Sequence, residues 1–429
     1  MPQLDITVDD LVAKLLLISE TEPVCILDSC GAGHLDSHLL VAGISPIDCV
    51  ELAYGLNETL DALDAALTGE LPCFLTLSYD LGRKLLNIPT RHAATAEPDL
   101  FLARFAALIV HDYANGTTNI YGKPDTCSSV IDRLNAAHTL NEAATADVNI
   151  RSDFDQSEYL TAIEQIQERI RDGDTYQTNL THQLTAQLPK ALPQAIFLRL
   201  RHKHPAPFAA FITRKDSTVI SASPERFLSV AGRDISTSPI KGTRPRGSSV
   251  DEDAALKAEL LASEKDRAEN TMIVDLLRND LGRISEFGSV IVENLCEIEE
   301  HPTFFNLVST IRGRLRDDVK PSDIIRAMLP CGSITGAPKI STMKIIDEIE
   351  RSSRGLSMGA IGYHIPDGFG LTPRLDLSVA IRTMVIRDGV GTFNVGGGIT
   401  IDSDPQAEWE ETLTKATALL NAVNGMLVN

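Results

Sequence analysis

Two pairs of carboxylates stand three residues apart in the second half of the chain, Asp266 with Glu269 and Glu408 with Glu411. Both pairs fall in segments that read as helices. Ser263-Glu264-Lys265-Asp266 resembles a capping box and leads into the apolar Met272, Ile273, Leu276 and Leu277. Ser403 or Asp404 can cap a second helix, with Pro405 in its first turn. At about 100° per residue, Glu408, Glu411 and Lys415 share one arc of it, and Trp409, Leu413, Ala416 and Leu420 form an apolar arc expected to face the core. Facing one another, two such helices offer the oxygen donors that a hard divalent cation such as Mg²⁺ takes. Each pair alone reads more simply as a solvated face with i,i+4 ion pairs such as Glu411 to Lys415, and spacing does not make the helices face.

Lys241 lies in Ser238-Pro239-Ile240-Lys241-Gly242-Thr243-Arg244-Pro245-Arg246-Gly247, whose glycines and prolines predict a rigid basic loop. A lysine is a point charge when protonated and a nucleophile when neutral; a solvated or anion-binding loop is the simpler reading. Arg382 sits in the otherwise apolar, strand-like Ser378–Val385 and needs an anionic partner. A ligand carboxylate gripped bidentately or a structural acid serves equally. Asn394–Thr400, with Gly396, Gly397 and Gly398, and Gly332–Lys339 are expected to be loops whose backbone N–H groups can approach an anion. Neither continues into the Gly-Lys-Ser/Thr of a phosphate loop, which argues against a nucleotide.

The elements that must position these residues lie beyond residue 150. Tyr159, Ile163, Ile166 and Ile170 make a helical stripe that Gly173-Asp174 ends, and Thr175–Leu180 has strand character. Residues 1–140 mix apolar runs such as Phe101–Val110 with turn signals and carry no chemical constellation, and Leu140–Asp147 reads as a linker. No internal repeat is present. With 429 residues and 43% hydrophobic content the chain has ample core for a large globular unit. A net charge of −20 argues against nucleic acid and anionic membranes as partners. No apolar run approaches a membrane span, and Met1-Pro2-Gln3-Leu4-Asp5 opens no signal peptide. Seven scattered cysteines without metal-ligand spacing predict reduced thiols in a cytoplasmic protein.

In chain order, Ser223-Pro224-Glu225-Arg226-Phe227, the Lys241 stretch, Ala268–Asp280, Gly332–Lys339, Gly396–Gly398 and Pro405–Lys415 resemble the chorismate-utilising enzymes. That family includes component I of anthranilate synthase and of aminodeoxychorismate synthase, and the isochorismate and salicylate synthases. The resemblance is dense over 153–429 and loose over 1–140. It implies an α+β fold like that of anthranilate synthase component I, two orthogonally packed β-sheets flanked by helices. An N-terminal segment, 1–140, would be interwoven with a chorismate-binding catalytic domain, 153–429. It also implies roles. Glu269 and Glu411 match Mg²⁺ ligands, with Asp266 and Glu408 acting through waters; Glu225 matches the acid that protonates the departing C4 hydroxyl. Arg382, Lys415 and Gly398 match positions that bind the substrate's carboxylates, and Ser333, Gly397 and Thr243 belong to the same pocket.

Two positions sort the subfamilies. Gln177 stands where isochorismate and salicylate synthases carry a lysine base, and glutamine cannot deprotonate water. Lys241 stands where anthranilate synthases have alanine, and a lysine there marks aminodeoxychorismate synthases. Its amine is expected to add at C2 as the C4 hydroxyl leaves, before ammonia enters at C4 and expels it. Repulsion from Mg²⁺ and Arg244 is expected to favour the nucleophilic form. The implied activity is Mg²⁺-dependent amination of chorismate to 4-amino-4-deoxychorismate, for 4-aminobenzoate and folate. No class I glutaminase signature appears, so ammonia is expected from a glutamine amidotransferase subunit, component II. Anthranilate synthesis and a non-catalytic chorismate-binding subunit are the alternatives. Asn306 replaces a histidine common in relatives and fits a product that keeps its enolpyruvyl group; Ser357 replaces a usual aromatic residue. Ile26-Leu27-Asp28-Ser29 is only loosely similar to a tryptophan-binding motif, and no tryptophan inhibition is expected.

Overall fold

A computed structural model of the chain describes residues 2–32, 38–138, 148–188, 193–300 and 304–427; the linker expected at 140–147 lies outside them. The described strands form two sheets, of thirteen and ten strands, with helices packed on them. In the first, Val24–Asp28 pairs with Phe208–Thr213, followed by Thr218–Ser223, Thr383–Arg387, Val390–Ile399 and Gln177–Gln187. In the second, Ile240–Pro245 borders Phe304–Arg314, and the far end is built from Ala360–Ile365, Cys73–Leu77, Leu100–Arg104 and Asp48–Leu52. Both sheets therefore draw strands from the first 140 residues and from the rest. The apolar run Phe101–Val110 changes sheets midway. Leu100–Arg104 belongs to one and Ala107–Asp112 to the other, with buried Phe105 at the crossing. Cys25, Val41, Val110, Ala210 and Ile212 of one sheet meet Phe74, Phe101, Ala103 and Ile361 of the other in one buried cluster.

The helix Gln156–Arg171 has the expected stripe and a capping box of Asp155 and Glu158, and Gly173, at φ 82°, follows its end. Tyr159, Ile163 and Ile166 pack with Leu180 and Ile399 behind the glycine-rich strand. Ser263 caps Glu264–Gly282 through the N–H of Asp266, and Asp404 caps Pro405–Val423 through that of Ala407. The second helix is rotated from the expected pose. Trp409, Leu413 and Leu420 are only half-buried, and Glu408, Thr412, Ala416 and Leu419 lie deepest. The strand beneath supplies the reason: glycines leave no side chains for an apolar stripe to cover, so a polar face settles there.

Three expected loops differ. The Lys241 stretch is an edge strand, Ile240–Pro245, bulged between Ile240 and Thr243 where Gly242 takes φ +78°. Gly396, Gly397 and Gly398 lie inside the strand Val390–Ile399, paired in that order to Thr181, Leu180 and Asn179. Gly332–Lys339 is a 3₁₀ turn, Gly332–Ile334, then a two-residue strand and the first residue of the helix Lys339–Ile349. No described helix is long and apolar enough to cross a membrane.

Candidate active site

Lys241 reaches from the edge strand to donate its ammonium to the carbonyl oxygen of Ser333, at 3.1 Å. A Cβ at Gly398 would lie 3.6 Å from that Nζ and only 2.0 Å from Nε2 of Gln177. The missing side chain is thus what lets the Lys241 amine and the Gln177 amide share one space. Gln177 is buried and its Oε1 has no hydrogen-bond partner among the described residues. Gly397 faces different chemistry, since its Cβ position is 3.1 Å from Glu408 Oε2, 3.7 Å from Lys415 Nζ and 3.8 Å from Glu411 Oε1. Lys415 is held between Glu411, at 2.7 Å, and the carbonyl of Gly396, at 2.9 Å.

Glu225 follows the strand Thr218–Ser223, and its backbone is fixed by the Ser223 hydroxyl and by Val379. Its carboxyl is buried, and one oxygen has no partner among the described residues. Burial pushes its pKa up, against the opposing pull of the Ser333 hydroxyl and the charges of Lys241 and Lys415. A carboxyl so placed is suited to give a proton.

The two carboxylate helices do face one another. Lys265, on the first, pairs with Glu408 of the second at 3.2 Å, and Ser403 donates to the same oxygen at 2.7 Å. Burial raises the pKa of Glu269, and the charges of Glu408 and Asp266 add to it against Lys241 and Lys265. Burial acts on Glu411 in the same sense, but Lys415, Lys265 and Lys241 together outweigh it and hold the group below its ordinary value. Among the described residues no three acidic, imidazole or thiolate groups converge tightly enough to hold a cation as the side chains stand. The donor set still fits a hard cation. Its four members are carboxylates, and Glu269 has no hydrogen-bond or ion-pair partner among the described residues. Arg244 is engaged by Glu259 at 2.8 Å and Asp266 at 3.3 Å, so its charge is offset locally.

Arg382 is not in a strand. It occupies a bend before Thr383–Arg387, with φ 49°, one residue past the Ser221–Thr383 pair. No described carboxylate pairs with it, so no structural acid satisfies it, and burial lowers its pKa. Thr243 donates to Asn306, which is buried, at 2.9 Å. Ser357 accepts the N–H of Asn394 at 3.2 Å, bracing the glycine strand. Asp28, in the stretch loosely similar to a tryptophan-binding motif, accepts from Arg201 and Tyr113, each at 2.7 Å.

Sequence reasoning missed three supports. Lys265 reads as a surface lysine between two acids. His182 receives the Ser152 hydroxyl at Nδ1, 2.7 Å away, and donates from Nε2 to Thr412 at 3.2 Å, because the Thr412 hydroxyl itself donates to the Trp409 carbonyl. Burial pushes its pKa down to about 4, so the ring is neutral. Arg354 pairs with Glu350 in the core and donates to the carbonyls of Ile334 and Asn179, while Glu350 accepts from Thr181. The i,i+4 spacing of Glu350 and Arg354 was a visible signal; nothing distinguished His182 from other strand residues.

The chorismate binding enzyme family matches residues 44–421. An anthranilate synthase component 1 of Haloarcula marismortui is 37% identical over 425 residues, covering 90% of this chain and 83% of that protein. The aminodeoxychorismate synthase component 1 of Escherichia coli is 36% identical over 414 residues, covering 93% and 88%. The crystal structure of anthranilate synthase component I from Streptococcus pneumoniae superposes with a TM-score of 0.78 at 26% identity, covering 90% of this chain and 93% of that one.

Proposed function

Because the chain belongs to the chorismate binding enzyme family and is an enzyme acting on chorismate, we propose that it aminates chorismate at C4, as its aminodeoxychorismate synthase relatives are named for doing. Overall identity does not choose between the two activities, since 37% and 36% are equivalent. The observation that carries the reading is Lys241, whose Nζ lies beside Gly398 with Gln177 next to it. An amine where anthranilate synthases have a methyl group gives the site a second nucleophile.

In this reading Glu225 protonates the C4 oxygen as that C–O bond breaks, and the Lys241 amine bonds to C2 as the double bond shifts. Ammonia then bonds to C4, the double bond returns, and the C2–N bond to Lys241 breaks. The surplus proton on the new C4 ammonium restores Glu225, so the balance is chorismate plus ammonia giving aminodeoxychorismate plus water. Arg382, without a protein carboxylate, and Lys415 bind the substrate's carboxylates; Ser333, Thr243, Gly397 and Gly398 shape the pocket. Glu269 and Glu411 would hold Mg²⁺ directly, with Asp266 and Glu408 through waters; when bound, it supplies a counter-charge for the ring carboxylate. Ammonia would come from a glutamine amidotransferase subunit, as "component 1" in both relatives' names suggests, and the product would serve 4-aminobenzoate and folate synthesis. Seven free cysteines suit a cytoplasmic setting.

The rival is anthranilate synthesis, favoured by the Haloarcula relative and the Streptococcus structure. Incubation of the pure chain with chorismate, Mg²⁺ and ammonium separates them: the expected product has the mass of aminodeoxychorismate and lacks anthranilate fluorescence. Direct formation of anthranilate overturns the proposal. Lys241→Ala is expected to lower C4 amination by about 10²-fold or more while chorismate binding changes far less. Unchanged turnover would remove the covalent role.

A further inference from the structure

We propose that Lys265 is a placeholder counter-ion for Glu408, one that bridges the two carboxylate helices and must leave Glu408 when a divalent cation binds between them. This rests on the metal reading above. Asp266, Glu269, Glu408 and Glu411 put four like charges on two facing helices, and Glu408 is 4% exposed. A carboxylate buried to that degree needs a nearby cation, and Lys265 supplies it across the helix gap at 3.2 Å. On a solvated helix Lys265 would sit over Glu269, four residues on. No ion pair joins those two; the ammonium crosses to the other helix instead.

Lys415 and Lys265 are not equivalent. Lys415 bonds both to Glu411, at 2.7 Å, and to the Gly396 carbonyl, at 2.9 Å, so the backbone keeps it in place. Lys265 has Glu408 as its sole hydrogen-bond acceptor among the described residues, and half of its side chain, 50%, is in solvent. It can swing outward with its charge intact and rehydrated, and no proton need be released. Glu408 keeps the Ser403 hydroxyl at 2.7 Å throughout, so the departure frees an already oriented carboxylate. The cation's apparent affinity is then reduced by the fraction of molecules in which Lys265 still holds Glu408.

Two measurements on the full chain test this. In calorimetric titration of EDTA-treated protein with Mg²⁺, Lys265→Met is expected to bind about threefold to tenfold more tightly than wild type, the range set by a partly exposed ion pair. In the wild type, Mg²⁺ is expected to quicken acylation of Lys265 by an amine-reactive ester, read by peptide mass spectrometry. This second readout separates release of the ammonium from simple loss of a repelling charge. Mg²⁺ binding that Lys265→Met leaves unchanged or weakens, or labelling of Lys265 that Mg²⁺ does not quicken, overturns the placeholder and leaves the metal reading standing. If neither protein binds Mg²⁺, the metal reading itself falls.

Discussion

Glu225 stands under the opposing influences of burial, which favours its neutral form, and of the Lys241 and Lys415 charges, which favour its ion. Burial prevails, so its folded pKa lies above the ordinary carboxylate value, and the acid form persists to higher pH and is lost as pH rises through that value. A general acid is active only while protonated. With free ammonia held constant, kcat is therefore expected to fall on the alkaline side of this raised pKa, and Glu225→Gln to lose that limb along with about 10²–10⁴-fold in rate. A pH–rate profile of the two proteins checks it; an alkaline fall surviving in Glu225→Gln would assign the limb elsewhere. Glu411 contrasts with it: its side chain is 49% exposed, and three lysines hold it below its ordinary value against the partial burial it has. Two carboxyls of one site are thus set to opposite tasks, one as acid and one as fixed charge.

The glycine strand Val390–Ile399 shows how an element, rather than a side chain, makes the site. An alanine at Gly398 meets the Gln177 amide at 2.0 Å, the movable end of a side chain, whereas one at Gly396 meets the Leu180 carbonyl at 1.9 Å, which is backbone. Gly398→Ala is therefore expected to fold and lose activity, and Gly396→Ala to unfold or melt well below wild type; circular dichroism melts alongside turnover distinguish them, and equal melting points would contradict the assignment. Across this strand, Thr412 links the carboxylate helix to His182. Thr412→Val keeps the volume but strands the buried Nε2–H, at a cost of about 1–3 kcal/mol, visible as a lower denaturation midpoint. The helices themselves were legible, because caps and a 3.6-residue period are local signals: Ser263, Asp404 and the Tyr159 stripe are where their types predict. The rotation of Pro405–Val423 was not, since it depends on the glycines of a strand that its own sequence does not contain. The bulge at Lys241 escaped for a similar reason, since it closes where Thr243 pairs with Asn306, 63 residues on.

At the scale of the whole molecule, the sequence changes character near residue 140, and the strand pairings run across that point. Val24–Asp28 is flanked by Leu39–Ile44 and by Phe208–Thr213, and Cys73–Leu77 by Leu100–Arg104 and by Ala360–Ile365. Such partners, as far apart along the chain as Cys73 and His364, leave no local trace, because alternation marks a strand but not its neighbour. Deleting residues 1–138 would expose the edges of Phe208–Thr213 and Ala360–Ile365 and remove Cys25, Val41, Phe74, Phe101, Phe105, Leu108 and Val110 from the buried cluster between the sheets. Each of those side chains other than Cys25 contributes about 1.5–3 kcal/mol by burial, so their sum is as large as the whole net stability of an ordinary domain, about 5–15 kcal/mol. Residues 148–429, although they carry every proposed site residue, are therefore expected to give no cooperative melt and no chorismate binding when produced alone. Co-production with residues 1–138 is expected to restore both, since the missing strands can pair in trans. A cooperative melt from 148–429 by itself would show that the sheets close without their N-terminal strands.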